Sequence, residues 1–240
     1  FNSLFTTEFQ IFMSATIDHK SFCQNMGFET DDVAFIDTKK SPFPIENRTI
    51  DLLNIKRLSY GSTESDELEV ISAIDRILTE HSKERGLILT SSISRCNKIL
   101  RNLSPANSRR IRICHSMNQD GKTQDEVIAE HSRDPTGVLL SSSLWEGVDL
   151  KDDLSRFQII AKVPYPNYTE KRVKAKMEKF PLWYTSQTLT KILQGFGRSI
   201  RSNEDWAKTY VLDTAVNNVF FKAQSMIPKA YYDVLGIEES

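Results

Sequence analysis

Apolar runs recur along the chain at a spacing that predicts strands: FQIFM (9–13), VAFID (33–37), GLILT (86–90), RIRIC (110–114), GVLLS (137–141), FQIIAKV (157–163) and TYVLD (209–213). Between most of them the pattern turns helical, over 64–80, 94–102, 123–131, 169–179 and 185–200. Strands alternating with amphipathic helices imply repeated strand–helix–strand units and a parallel sheet. LILT and VLL are apolar at every position, not at every second one, as a strand covered on both faces requires. The pattern thus predicts an α/β domain over 39–240 with helices on both faces of its sheet. Residues 1–38 carry a strand and a short helix that read as the tail of a neighbouring domain, and KKSPFPIENR (39–48) reads as the linker.

Composition narrows the function classes. At 240 residues and 39% hydrophobic, the chain can bury a substantial core. It opens on Phe1, so it reads as a piece of a longer protein from which an N-terminal signal could be missing. No stretch approaches the roughly 18 apolar residues of a membrane span, so the piece is expected to be soluble, with no membrane partner. Lys and Arg total 31 against 32 Asp and Glu, a net charge of -1. That excludes nucleic-acid binding through a broad basic field, and any such contact has to be local. Cys23, Cys96 and Cys114 lie far apart with no CxxC spacing, which points to a reducing compartment and no bound metal.

Two segments share a layout in which an apolar strand runs into hydroxyls: LILTSSIS (87–94) and VLLSSSLWEGVDL (138–150). Ligands of open α/β sheets bind outside the carboxyl ends of the strands, where Thr90, Ser91, Ser92, Ser141, Ser142 and Ser143 are expected. Hydroxyls and helix-start N–H groups suit phosphate oxygens without net positive charge. Helix capping explains one such cluster equally well. In the second cluster Gly147 can take a positive φ and bring Glu146 and Asp149 to a ligand from a tight turn, and Trp145 either stacks on a base or fills the core. A GKT at 121–123 imitates a phosphate-binding loop, but that motif needs a glycine where Ser116 stands, and Asp120 sets a negative charge beside it. It reads as a loop with Thr123 capping the next helix, so ATP binding by this chain alone is not expected.

KILQGFGRSIRSNEDWA (191–207) reads as a helix of unusual composition. Gly195 and Gly197 each cost about 1 kcal/mol relative to alanine. Gln194, Arg198 and Arg201 fall at i, i+4 and i+7, on one helical face, and the glycines leave room for a backbone or a phosphate. A surface pair of Arg201 with Asp205, worth under about 1 kcal/mol, leaves the glycines unexplained. Arginine reaches bidentately for phosphate and stabilises charge developing in phosphoryl transfer, so the stretch reads as an arginine-finger helix. That reading needs both guanidinium groups free of buried ion pairs and facing the surface where the hydroxyl-bearing strand ends gather.

Taken together, SATI (14–17), SSSLWEGVDL (141–150) and QGFGRSIRSNED (194–205) resemble motifs III, V and VI of superfamily-two helicases of the XPD and DinG branch. The serines after GLIL resemble its motif IV, while Phe196 and Trp206 depart from its usual residues. The resemblance implies a RecA-like, P-loop NTPase-like second motor domain of an ATP-dependent DNA helicase, a 5′ to 3′ translocase of the nucleotide excision repair type. It implies ATP between two motor domains, with the P-loop and the Mg2+-binding acids supplied by the first, and a 4Fe-4S cluster only in that first domain. On the same resemblance Arg198 and Arg201 contact the γ-phosphate and Gln194 orients them or the attacking water. Glu146, Gly147 and Asp149 couple the nucleotide cleft to the DNA edge, and Thr90, Ser91, Ser92, Ser142 and Trp145 grip the DNA backbone. The implied partners are single-stranded DNA, the first motor domain, and repair or transcription-factor proteins, in a nucleoid or a nucleus. A non-catalytic interaction module and an RNA helicase domain stay open as alternatives, since sequence does not reveal the sugar.

Three further segments carry weaker signals. Tyr165 and Tyr168 in KVPYPNY (162–168) either stack on bases or follow a turn shaped by Pro164 and Pro166. KRVKAKMEK (171–179) is a solvated face or a DNA track, and His115 reads as a surface histidine, with a loop contact to DNA as the alternative.

Overall fold

Residue 7 and residues 9–14, 16–38, 40–115 and 121–237 are described in the computed structural model. In chain order the helices and strands are α1 (His19–Met26), β1 (Ile50–Lys56), α2 (Glu64–Glu80), β2 (Gly86–Leu89), α3 (Ile93–Asn102), α4 (Pro105–Ser108), β3 (Ile111–Ile113), α5 (Gln124–Arg133), β4 (Val138–Ser141), β5 (Phe157–Ile160), α6 (Lys171–Lys179), α7 (Trp183–Phe196), β6 (Lys208–Asp213), α8 (Ala215–Lys222) and α9 (Tyr232–Leu235).

The six strands form one sheet in the order β1-β6-β5-β2-β4-β3, and every neighbouring pair is parallel. The continuous apolar runs explain why. Leu87 and Leu89 of β2 pack with α7 and α8 on one face, and Ile88 packs with α2 and α3 on the other. Each residue of a central strand therefore reaches a core, and β2, β4 and β5 are buried at every position. Helix starts follow local chemistry: Thr63 and Thr123 each close a reciprocal cap with an acid three residues on, Asp66 and Glu126. Thr123 thus caps α5, and the neighbouring Lys122 meets Glu130 at 2.6 Å; Ser116 and Asp120 lie outside the described residues.

The amino-terminal strands are not formed. Residues 9–13 and 33–37 flank α1 without regular structure, and Phe9, Ile11, Met13 and Ile36 are exposed. A strand exists through its ladder, and neither run joins the sheet among the described residues. Conversely, the sheet gains an edge strand, β1, that the hydropathy pattern hid. Its register slips between Leu52 and Lys56, and Asn54 sits at φ 51°, so a bulge breaks the alternation. The carboxyl end of the expected linker is also held in place: Arg48 donates to Phe43 O and Ala230 O, and Ala207 N donates to Asn47 O.

Candidate functional site

The carboxyl ends of β2 and β4 are tied together, Thr90 N donating to Ser141 O at 2.9 Å. Their hydroxyls divide by burial. Thr90 and Ser141 are fully buried; Ser141 Oγ accepts from the N–H of Ser143 and Leu144 and so caps the turn. Thr90 therefore does not present its side chain to a ligand, because the last pleat of a doubly covered strand points into a core. Ser91 is exposed, and Ser92 and Ser142 are half-buried. Ser92 Oγ accepts from Arg95 N at 3.3 Å, the N-cap of α3. His115, beyond β3, is buried rather than on the surface.

Trp145 is the second correction. Its side chain is 2% exposed, and Nε1 donates to Thr90 O at 3.1 Å, so the indole fills the core and is not offered to a base. The ring lies over Gly195, where a Cβ would meet Cζ3 and Cε3 at 3.1 and 3.2 Å. Gly195 is glycine to admit the indole, not a phosphate. Two residues past Trp145, Gly147 takes φ +81° and turns the chain. Glu146 and Asp149 emerge exposed on either side of it.

The arginines do not share a helical face with Gln194, because α7 stops at Phe196. Gly195 and Gly197 weaken its last turn, and Arg198 N already bonds Gly195 O in a tighter turn. Arg198 and Arg201 consequently lie in the loop before β6. Arg198 is half-buried: Nε donates to Gln194 O at 3.0 Å and Nη1 to Val148 O at 2.6 Å, and its own carbonyl accepts from Leu150 N. Burial first, then the Arg201 guanidinium, push Arg198 below its ordinary value, while Glu146 and Asp149 oppose the shift. Arg201 Nε donates to Asp149 Oδ1 at 2.5 Å, both side chains being well exposed. Among the described residues neither arginine is in a buried ion pair. Gln194 lines an open cavity of about 240 Å³ with Ser14, Thr16, Asp18 and Thr190.

Asp205 does not pair with the Arg201 side chain. Its buried carboxylate accepts from the N–H groups of Asp152, Arg201 and Trp206, and binds the Arg156 guanidinium at 2.7 Å; Trp206 covers Arg156, 5.0 Å from Cζ to ring centroid. Arg156 immediately precedes β5 and accepts from Lys208 N of β6. The arginine loop is thereby fixed to the amino ends of β5 and β6, so of the two conditions the sequence set for the finger helix, freedom from buried ion pairs is met among the described residues and the other fails, because the loop does not face the hydroxyl edge. A second layer went unread in the sequence. Ser199 Oγ donates to Ser155 Oγ and Gln158 Oε1, and Gln158 Nε2 donates to Phe196 O and Thr209 Oγ1. Its signal was Gln158 inside FQII, a polar side chain in a doubly buried strand.

Of the other candidates, Tyr165 is half-buried and stacks on Tyr184 with centroids 5.5 Å apart, so one ring face is taken. Tyr168 is exposed. Among the described residues no group of three His, Cys, Asp or Glu side chains is placed to hold a metal. Nor is any helix there long and apolar enough to cross a membrane.

Residues 76–232 match the family described as the helicase C-terminal domain. The chain is 26% identical over 218 residues to the ATP-dependent DNA helicase YoaA of Haemophilus influenzae, covering 85% of this chain and 32% of that protein. It is 29% identical over 157 residues to the probable ATP-dependent helicase YpvA of Bacillus subtilis, covering 63% and 24%. The chain thus spans about a third or less of the length of these relatives. Among solved structures, S. tokodaii Xpd4 shares its fold at a TM-score of 0.53 and 17% identity, over 80% of this chain and 37% of that one.

Proposed function

The chain belongs to the helicase C-terminal domain family, and on that footing we propose that it is the second, RecA-like motor domain of an ATP-dependent DNA helicase. In this reading residues 1–38 are the tail of the first motor domain, and a P-loop and Mg2+-binding acids of that domain hold the nucleotide. Arg198 and Arg201 close on the γ-phosphate from across the cleft, with Gln194 orienting them or the attacking water. The observation that carries the reading is Arg198: half-buried, held by two backbone carbonyls, and without an ion pair among the described residues. A partly desolvated cation with no carboxylate bonded to it is suited to an anion brought by another body.

Because the arginines do not face the hydroxyl edge, the single surface expected from the sequence is given up and two ligands are assigned. Ser91, Ser92 and Ser142 lie at the carboxyl ends and offer neutral donors to a DNA backbone. Asp149 and the arginines lie toward the amino ends, and one segment, 142–149, runs between the two. Trp145 anchors that segment in the core. When Arg201 exchanges Asp149 for phosphate, the carboxylate is released and the Gly147 turn is freed to move. Travel 5′ to 3′ and a role in excision repair belong to the same proposal.

The test is made in the complete protein. Arg198→Ala removes turnover of ATP, by about 10³-fold or more for an arginine finger, and leaves affinity for single-stranded DNA intact. Undiminished turnover removes the finger assignment. DNA-stimulated ATPase that survives deletion of the whole domain favours an interaction module instead, and preference for ribose over deoxyribose strands an RNA helicase.

A further inference from the structure

Helix α6 has an outer face that nothing in the fold uses. Val173 is its buried residue, while Lys171, Arg172, Lys174 and Lys179 are exposed, with Glu178 the one acid of the helix. Five lysines elsewhere, Lys56, Lys98, Lys122, Lys162 and Lys208, each hold a carboxylate within 3.4 Å. None of the α6 cations forms an ion pair among the described residues. Three of the five lie on aromatic rings instead, Lys174 over Tyr168 at 5.4 Å, Lys176 over Trp183 at 4.9 Å and Lys179 over Phe180 at 5.3 Å. In a chain of net charge -1, this is a concentration of uncompensated positive charge backed by aromatic faces.

Its position decides the ligand. The chain reaches α6 from the carboxyl end of β5, and the stack of Tyr165 on Tyr184 fixes that connection to the first turn of α7. The last turn of α7 lies at the amino end of the sheet, so its first turn and α6 stand at the carboxyl edge, with Ser91 and Ser142. Cations that track a backbone beside rings that accept bases are the pair of features single-stranded nucleic acid requires. We propose that α6, with Tyr168, is a second contact for single-stranded DNA, continuous with the hydroxyl edge. This rests on the DNA-gripping role proposed above for that edge.

Labelled oligo-dT binding to the complete helicase, titrated with salt, tests it. Each lost phosphate contact reduces the log–log salt slope by about 0.7 for single strands, so Lys171→Gln/Arg172→Gln/Lys174→Gln is expected to flatten it by about 2 and to weaken affinity about 100-fold near 0.1 M salt. Lys171→Arg/Lys174→Arg keeps slope and affinity, and Tyr168→Ala weakens binding about tenfold at an unchanged slope. A triple variant that binds oligo-dT with the parental slope overturns the inference, as does a variant defective only toward anionic vesicles. Absence of oligo-dT binding by the parent sinks the DNA-gripping reading itself.

Discussion

Alanine at position 195 separates two explanations of the glycine. In a helix interior Gly195→Ala should stabilise by about 1 kcal/mol through propensity. The new Cβ, however, would stand 3.1 Å from Cζ3 and 3.2 Å from Cε3 of Trp145, and 3.5 Å from Leu89 Cδ1. Unstrained carbon contacts lie at about 3.5–4.0 Å. The indole has nowhere to retreat, being 2% exposed and tethered through Nε1 to Thr90 O. Overpacking of this kind costs about 1–3 kcal/mol, so the net expectation is a loss of about 0–2 kcal/mol. Gly197→Ala is the control: φ is -83° and the nearest atom is 3.7 Å away, so about 0.4–1 kcal/mol of stabilisation is expected. Urea unfolding of the chain, followed by circular dichroism at constant m-value, measures both. In a double-mutant cycle with Trp145→Phe, whose smaller ring vacates the contact, the two changes should couple favourably by about 1 kcal/mol. If Gly195→Ala stabilises as much as Gly197→Ala, or the coupling is nil, the indole is not what makes this position a glycine.

Two further perturbations probe the supports of the site. His131 is fully buried, its Nε2 lies 2.8 Å from Leu154 O, and burial above all lowers its pKa from the ordinary 6.5. The unfolded chain therefore takes up the proton first, and stability falls as pH drops below 6.5, by up to about 1.4 kcal/mol per pH unit. His131→Gln, which keeps a donor near Nε2 without titrating, should flatten that decline in urea midpoints; equal declines in parent and variant would refute it. Asp205→Ala leaves the Arg156 guanidinium and three N–H groups without their acceptor and should cost about 3–5 kcal/mol. A cost under about 1 kcal/mol would mean that this carboxylate does not hold the arginine loop.

The sheet and its two covered faces were legible because continuous apolar runs and helical periodicity carry that information locally. The edge strand β1 was not, since Asp51 and Asn54 break its pattern and its pairing with β6 is fixed 159 residues away, as Ile50 opposite Thr209 shows. The amino-terminal runs erred in the other direction, strand-like in sequence but with no ladder to join among the described residues. At the site, the Gly147 turn followed from the residue type, whereas the arginines were misplaced by extending helical periodicity through two glycines. Trp145 illustrates the limit: an indole between serines and acids reads as a ligand contact until Gly195, fifty residues on in the chain, is seen to make its socket.

The two arginines differ in how they are held, and that difference bears on their order of action. Arg198 is fixed before any ligand arrives, because its two acceptors are backbone carbonyls whose positions follow from the end of α7 and from the Gly147 turn. Preorganised donors incur no reorganisation at the moment of reaction. Arg201 is held by a solvent-exposed carboxylate, an interaction worth about 1 kcal/mol or less, which a phosphate of higher charge displaces readily. In the proposed motor, Arg198 is therefore the standing half of the site and Arg201 the exchanging half. In the same proposal Asp149, the group Arg201 releases, shares with Ser142 a segment of eight residues, 142–149, and Trp145 pins that segment between them.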